Sequence, residues 1–216
     1  MKNYKAIIFD LDGVICFTDH YHFLAWKKLA DKFNIPFNEE DNNLLRGVSR
    51  AESLEIILRK YNGTPFTTEQ KAQMLEEKND TYKEYLKEMS PEDLSNEVIF
   101  TLLKLVSKGY KIAIGSSSKN TKFILLKLGI IKLFDEISDG TNITKSKPDP
   151  EVFLKAAEYL GLDPKDCLVI EDAKAGIDAA KAGGFDSCGL LDAKDYVNTT
   201  YGIESFKEIL TVLENN

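Results

Sequence analysis

The chain has 216 residues, 43% of them apolar and 29% charged, which suits one large domain or a core carrying a smaller insertion and excludes a disordered or fibrous chain. Its formal net charge of -7 argues against a nucleic-acid partner, which needs a concentrated basic face, while leaving room for a local basic pocket that takes a small phosphorylated ligand. No apolar run approaches the ~20 residues that crossing a bilayer requires.

Residues 4–9 (Tyr-Lys-Ala-Ile-Ile-Phe) form a short apolar run stopped by Asp10-Leu11-Asp12-Gly13, the pattern of a strand buried on both faces. No signal-peptide pattern precedes it. Cys16, Cys167 and Cys188 show no metal-ligand spacing and read as small buried hydrophobes in a reducing compartment. A cytoplasmic, monomeric protein without a membrane partner is expected.

From Thr18 to Ser90 the periodicity is helical. A first helix is predicted over Asp19 to Phe33, with His22 and Trp26 four residues apart on one face. Ser49-Arg50-Ala51-Glu52 reads as a capping box opening a helix through Lys60, and Thr67 to Gln70 repeats that logic for a helix to about Met89. Ser90-Pro91-Glu92 starts a fresh helix.

Beyond this point strands and helices alternate. A helix over Val98 to Lys108 precedes Gly109, and a strand follows at Lys111–Ile114. The next helix runs from Glu151 to Leu160, with Asp149 as N-cap, Pro150 at the first helical position and Gly161 as the stop. A strand at Cys167–Ile170, a helix from Ala173 to Ala182 ended by Gly183-Gly184, and a strand at Ser187–Leu191 complete the series. Such alternation predicts an α/β fold: a Rossmann-like parallel sheet with helices on both sides. The core is assigned to 1–16 and 92–216, with an inserted all-helical domain at 17–91.

In a parallel sheet, ligands bind outside the carboxyl ends of the strands. Asp10 and Asp12 follow the first run, and Glu171 and Asp172 follow the strand at Cys167–Ile170. Four carboxylates at one edge repel one another unless a cation holds them, and hard oxygen ligands suit Mg²⁺. Lys147, in the loop before the Asp149-capped helix, is the candidate counter-charge. Ser116-Ser117-Ser118-Lys119-Asn120, at a strand-to-helix turn, offers hydroxyls and backbone N–H groups to phosphate oxygens.

The order of these segments resembles the four-part pattern of the haloacid dehalogenase superfamily: Asp10-Leu11-Asp12-Gly13-Val14-Ile15, then Ser116, then Lys147-Pro148, then Glu171-Asp172. The resemblance spans essentially the whole chain and implies that superfamily's fold, with the helical insert as a mobile cap. It implies Asp10 as a nucleophile forming an aspartyl phosphate, Asp12 as general acid/base, Ser116 and Lys147 as phosphate-positioning residues, and Glu171 and Asp172 completing a Mg²⁺ site with Asp10 and Asp12. A carboxylate nucleophile divides a difficult transfer into two easier ones, and the surrounding cations neutralise charge on the equatorial oxygens.

The insert is similar to the cap of the superfamily's sugar-phosphate mutases in Thr18-Asp19-His20-Tyr21-His22-Phe23-Leu24-Ala25-Trp26, in Leu45-Arg46-Gly47-Val48-Ser49-Arg50 and in Lys78-Asn79-Asp80. Ser118-Lys119-Asn120 extends the likeness to the core. A mutase holds a second, non-reacting phosphate, for which Arg50, Ser118 and Asn120 are the implied ligands and Lys119 adds charge. His22 is expected to hydrogen-bond Asp12, Trp26 to wall the sugar pocket and Lys78 to contact sugar or phosphate. Thr18, Arg46, Gly47, Val48, Ser49, Ser53 and Ser117 complete the expected substrate-binding set. Phe17 departs from the mutase pattern, which carries aspartate there, and Ser117 replaces a common alanine. A phosphatase of the same superfamily uses the same core but lets water take the phosphoryl group, and closure and water exclusion separate the two.

Overall fold

The computed structural model describes residues 2–45 and 49–215. They divide into two compact units, Met1–Phe17 with Met89–Asn216, and Thr18–Glu88.

The first unit is built on a parallel sheet. β1 (Ala6–Phe9) pairs with β2 (Lys111–Gly115) on one side and β4 (Cys167–Glu171) on the other. β3 (Glu136–Ser138), β5 (Asp186–Gly189) and β6 (Tyr201–Gly202) extend it to the order β3-β2-β1-β4-β5-β6. β1 is buried at every position, which explains its unbroken apolar run. Its side chains alternate between faces. Ala6 and Ile8 join Val152, Phe153, Ala179 and Ala180 from α7 (Glu151–Leu160) and α8 (Lys174–Ala182). Phe9 instead stacks on Phe206 at 5.6 Å and meets Phe134 edge-on at 6.4 Å. On β2 lies α5 (Asn96–Ser107), with α6 (Thr121–Lys127) following the strand and α9 (Glu208–Glu214) ending the chain.

The second unit is helical: α1 (Asp19–Lys32), α2 (Glu39–Asn43), α3 (Arg50–Leu58) and α4 (Thr68–Leu86). Trp26, Leu29, Leu54, Ile57 and Met74 form its core. The Thr67–Gln70 capping box is present with both bonds, whereas Ser49 makes the serine half of its box, accepting from the Glu52 N–H at 3.3 Å.

Several boundaries differ from expectation for local reasons. Ser90-Pro91-Glu92 opens only a 3-10 turn, Pro91–Asp93, because the Ser90–Asp93 box closes on it and Ser95 then caps α5 by accepting from the Val98 N–H. The strand expected at Ser187–Leu191 is shifted to Asp186–Gly189, and Leu191, at φ +47°, turns the chain away from the sheet. α7 covers the expected Glu151–Leu160, but its cap differs: Asp149 Oδ1 accepts from the Glu151 N–H, while Pro150 occupies the cap position. Gly161 ends α7 at φ +70°, as its position after the last apolar residue implies. β3, β6, α2, α6 and α9 are too short to leave a periodic signal. All three cysteines are free and buried, and no described helix is long and apolar enough to cross a membrane.

Phe153, fully buried among β1, β2 and α8 residues, is the packing test of this core. Phe153→Ala should destabilise the protein by ~3–5 kcal/mol. Phe100→Ala, at a side chain 62% exposed on α5, should change stability by less than about 0.5 kcal/mol. Urea unfolding of both variants measures the contrast.

Candidate active site

Parallel pairing determines where the acids meet. Phe9 on β1 is opposite Ile170 on β4, so the next residues, Asp10 and Glu171, emerge side by side at the carboxyl edge. Asp10 continues the ladder by donating its N–H to the Ile170 carbonyl at 2.9 Å. Asp10, Glu171 and Asp172 each present one carboxylate oxygen within 4.8 Å of the others. Lys147 reaches this group from the loop after β3. Its Nζ donates to Asp10 Oδ1 at 2.5 Å and to Glu171 Oε1 at 2.6 Å, beside the Phe153 ring 4.6 Å away. The lysine side chain is 8% exposed, so these bonds are made largely out of water, where charge pairing is strong.

The remaining Glu171 oxygen, Oε2, accepts from the Asp172 and Ala173 N–H groups at 2.9 Å each. Two glycines make room for this arrangement. A Cβ at Gly176, in the first turn of α8, would overlap the Glu171 carboxylate, and one at Gly13, which has φ +87°, would overlap that of Asp172. Neither glycine was singled out by the sequence as a site residue. The signal lay in their positions, one closing the Asp-x-Asp turn and the other five residues beyond Glu171.

Crowding like charges in a buried place shifts their protonation. Burial pushes the Asp10 carboxyl up to about 7, Lys147 opposing it and Glu171 and Asp12 adding to it. Burial, then Glu171 and Asp10, push Asp172 up to about 8. Lys147 is held above the ordinary lysine range, because the Asp10 and Glu171 charges outweigh the burial that would lower it. Three convergent carboxylates against one ammonium leave an excess of negative charge, and an all-oxygen donor set fits a hard divalent cation. Asp12, expected among the metal ligands, does not place its carboxylate in the trio. The Gly13 turn, where the Gly13 N–H donates to the Cys16 carbonyl at 2.7 Å, leaves Asp12 partly exposed. From there its charge still raises Asp10 and Asp172.

The serine loop follows β2, on the other side of β1. Ser116 is buried and donates its N–H to the Ser138 carbonyl on β3 at 3.1 Å. Its hydroxyl accepts from the Ser118 N–H, and the Ser118 hydroxyl accepts from the Asn120 N–H, each at 3.2 Å. This staircase of side-chain turns fixes the loop. Ser117 Oγ faces the Lys147 N–H at 3.5 Å. Asn120 is buried at the start of α6 and Lys119 is exposed. Asp10, Ser116, Lys147, Glu171 and Asp172 therefore occupy one sheet edge, as expected.

The helical unit gathers its own candidates. Lys78, 1% exposed, donates Nζ to His22 Nδ1 at 2.8 Å and lies 4.7 Å from the ring centres of both Trp26 and Tyr82. Burial, then the Lys78 and Arg50 charges, hold His22 well below its usual range, so its ring is neutral near pH 7 and Nδ1 is the acceptor. Trp26, expected to line a sugar pocket, is 2% exposed and packs within the helical core under Lys78. Tyr82, four residues beyond Lys78, was missed, although that spacing places both on one helix face. Thr18 and Ser53 are buried, and Ser49 and Arg50 are partly exposed at the start of α3. Arg46, Gly47 and Val48 lie outside the described residues.

A family model described as haloacid dehalogenase-like hydrolase matches residues 4–184. A β-phosphoglucomutase of Bacillus subtilis is 45% identical over 188 residues, covering 86% of this chain and 83% of that protein. A phosphorylated carbohydrates phosphatase of Thermotoga maritima is 31% identical over 185 residues, covering 84% and 82%. The crystal structure of a β-phosphoglucomutase from Clostridium difficile superposes with a TM-score of 0.88 at 37% identity, covering 98% of this chain and 97% of that one.

Two expectations follow from the acid cluster. Without a divalent ion, the folded protein holds protons on Asp10 and Asp172 that the unfolded chain releases near pH 4. Its stability should fall as pH rises through about 7 and 8. Mg²⁺ should raise the melting temperature more above that window than below it, as thermal scans in EDTA and in Mg²⁺ will show. Gly176→Ala favours the helix itself but displaces Glu171, so divalent-ion affinity by calorimetry should drop ~10–100-fold with the circular dichroism spectrum unchanged.

Proposed function

The chain belongs to the haloacid dehalogenase-like hydrolase family, and within it we propose the reaction of a β-phosphoglucomutase, interconverting β-D-glucose 1-phosphate and glucose 6-phosphate. The observation that carries this reading is the 45% identity to the Bacillus subtilis β-phosphoglucomutase across most of both chains. The phosphotransfer centre around Asp10 supports it.

In this mechanism Asp10 carries the phosphoryl group. The sugar 6-hydroxyl attacks phosphorus while Asp12 takes its proton; the new P–O bond forms as the bond to Asp10 breaks, giving β-glucose 1,6-bisphosphate. After the bisphosphate turns over, Asp10 attacks the phosphate on carbon 1, Asp12 returns the proton to the departing oxygen, and glucose 6-phosphate leaves behind phospho-Asp10. Lys147 and Ser116 hold the transferring oxygens, and Lys147 favours the ionised form of Asp10 against its burial and aligns it. Asp10, Glu171 and Asp172, with Asp12 nearby, would hold Mg²⁺, which would supply positive charge to offset that of the transferring group. Ser118, Lys119 and Asn120 serve the non-reacting phosphate, and Arg50 is the phosphate-binding candidate of the helical unit. Thr18, His22, Arg46, Gly47, Val48, Ser49, Ser53, Lys78 and Ser117 are the further substrate-binding candidates, with Trp26 supporting Lys78 through its ring.

The test is an assay with β-glucose 1-phosphate, Mg²⁺ and a trace of the bisphosphate, following glucose 6-phosphate and free phosphate together. Glucose 6-phosphate should dominate. Rapid phosphate release without it would replace the mutase with a phosphatase, the activity named for the 31%-identical relative. Asp12→Asn should slow turnover by ~10²–10⁴-fold with the melting curve retained.

A further inference from the structure

The carboxyl edge of the sheet poses an electrostatic problem. The protein has a net charge of -7, its catalytic edge carries Asp10, Asp12, Glu171 and Asp172, and the proposed substrates are themselves anions. Something at that edge must favour the approach of phosphate.

Near the amino ends of the strands Lys2 pairs with Asp186, Lys5 with Asp166, Lys108 with Glu214 and Lys165 with Asp163. At the carboxyl edge Lys145 and Lys194 are likewise paired, with Asp149 and Glu204. Lys119, Lys122 and Lys174 are exposed and have no ion pair among the described residues. Lys174 has only the Tyr196 ring, 5.7 Å away.

Topology places these three around the nucleophile. Lys119 and Lys122 follow β2, and Lys174 follows β4, two residues beyond Asp172. β1, which ends at Asp10, lies between those strands. Neighbouring strands are ~4.8 Å apart, so the free lysines leave the sheet on both sides of Asp10 from strand ends ~10 Å apart, about one Debye length at 0.1 M salt. No acid interrupts the sequence from Val98 to Phe134, which carries Lys104, Lys108, Lys111, Lys119, Lys122, Lys127 and Lys132. Of these, Lys119 and Lys122 lie just past the carboxyl end of β2.

We propose that Lys122 and Lys174, with Lys119, form a cationic collar flanking Asp10 that steers phosphorylated sugars to the catalytic centre and draws a doubly phosphorylated sugar more strongly than a singly phosphorylated one. Neither Lys122 nor Lys174 is assigned a contact with the reacting atoms; both act through the field they set at the edge. The inference rests on the sugar-phosphate reading of the site.

The test uses the full chain with Mg²⁺. The double variant Lys122→Gln/Lys174→Gln should lower kcat/KM for β-glucose 1-phosphate by ~3–10-fold at low ionic strength, leave kcat within about twofold, and flatten the dependence of kcat/KM on salt. The loss should be larger when β-glucose 1,6-bisphosphate is varied, and should vanish at ~0.5 M salt as screening removes the field in the wild type too. Lys165→Gln, at the opposite edge, should change neither quantity. An unchanged salt slope in the double variant, or a loss confined to kcat, overturns the collar. Wild-type protein that yields no glucose 6-phosphate overturns the underlying reading instead, and the collar with it.

Discussion

The two hydrogen bonds from Lys147 to Asp10 and Glu171 are the interaction on which the site depends. Burying carboxylates together disfavours their ionised forms, and a neutral Asp10 is a poor nucleophile and a poor metal ligand. The ammonium opposes that tendency from within the same dry pocket. It comes from the loop after β3, far along the chain from Asp10, so the catalytic charge balance exists only when the sheet has assembled. Folding and chemistry are coupled through this one side chain.

The rest of the edge serves the same balance. Backbone N–H groups at the start of α8 hold the second oxygen of Glu171, leaving Oε1 to Lys147. Gly176 and Gly13 provide the space that these carboxylates fill. Removing a methyl group from two positions lets side chains approach the backbone where ordinary packing would exclude them. A divalent ion held by Asp10, Glu171 and Asp172 would add the charge that Lys147 alone does not supply.

The sequence displayed most of this because its residues follow strands directly. The apolar run before Asp10 and the one before Glu171 announced two strands, and parallel pairing needed only their ends to put four acids on one edge. Ser116 was legible for the same reason, whereas Lys147, nine residues beyond β3, was legible through its place before the Asp149-Pro150 helix start and in the superfamily pattern. The glycine clearances were not, since a missing Cβ has meaning only once its neighbour in space is known. Tyr82 and the inward packing of Trp26 were obscured because an aromatic residue on a helix leaves the same periodic mark whether it lines a pocket or a core. β3 and β6 escaped because runs of three and two residues carry no period, and their place in the sheet comes from neighbouring strands.

Locating the covalent phosphoryl group tests the central claim most directly. Wild-type protein mixed with β-glucose 1,6-bisphosphate and Mg²⁺, quenched in acid and digested, should yield a peptide spanning residues 4–17 heavier by one phosphoryl group, with fragment ions placing it on Asp10. Turnover accompanied by a phosphoryl group on any other residue, or by none on the protein at all, would contradict the account.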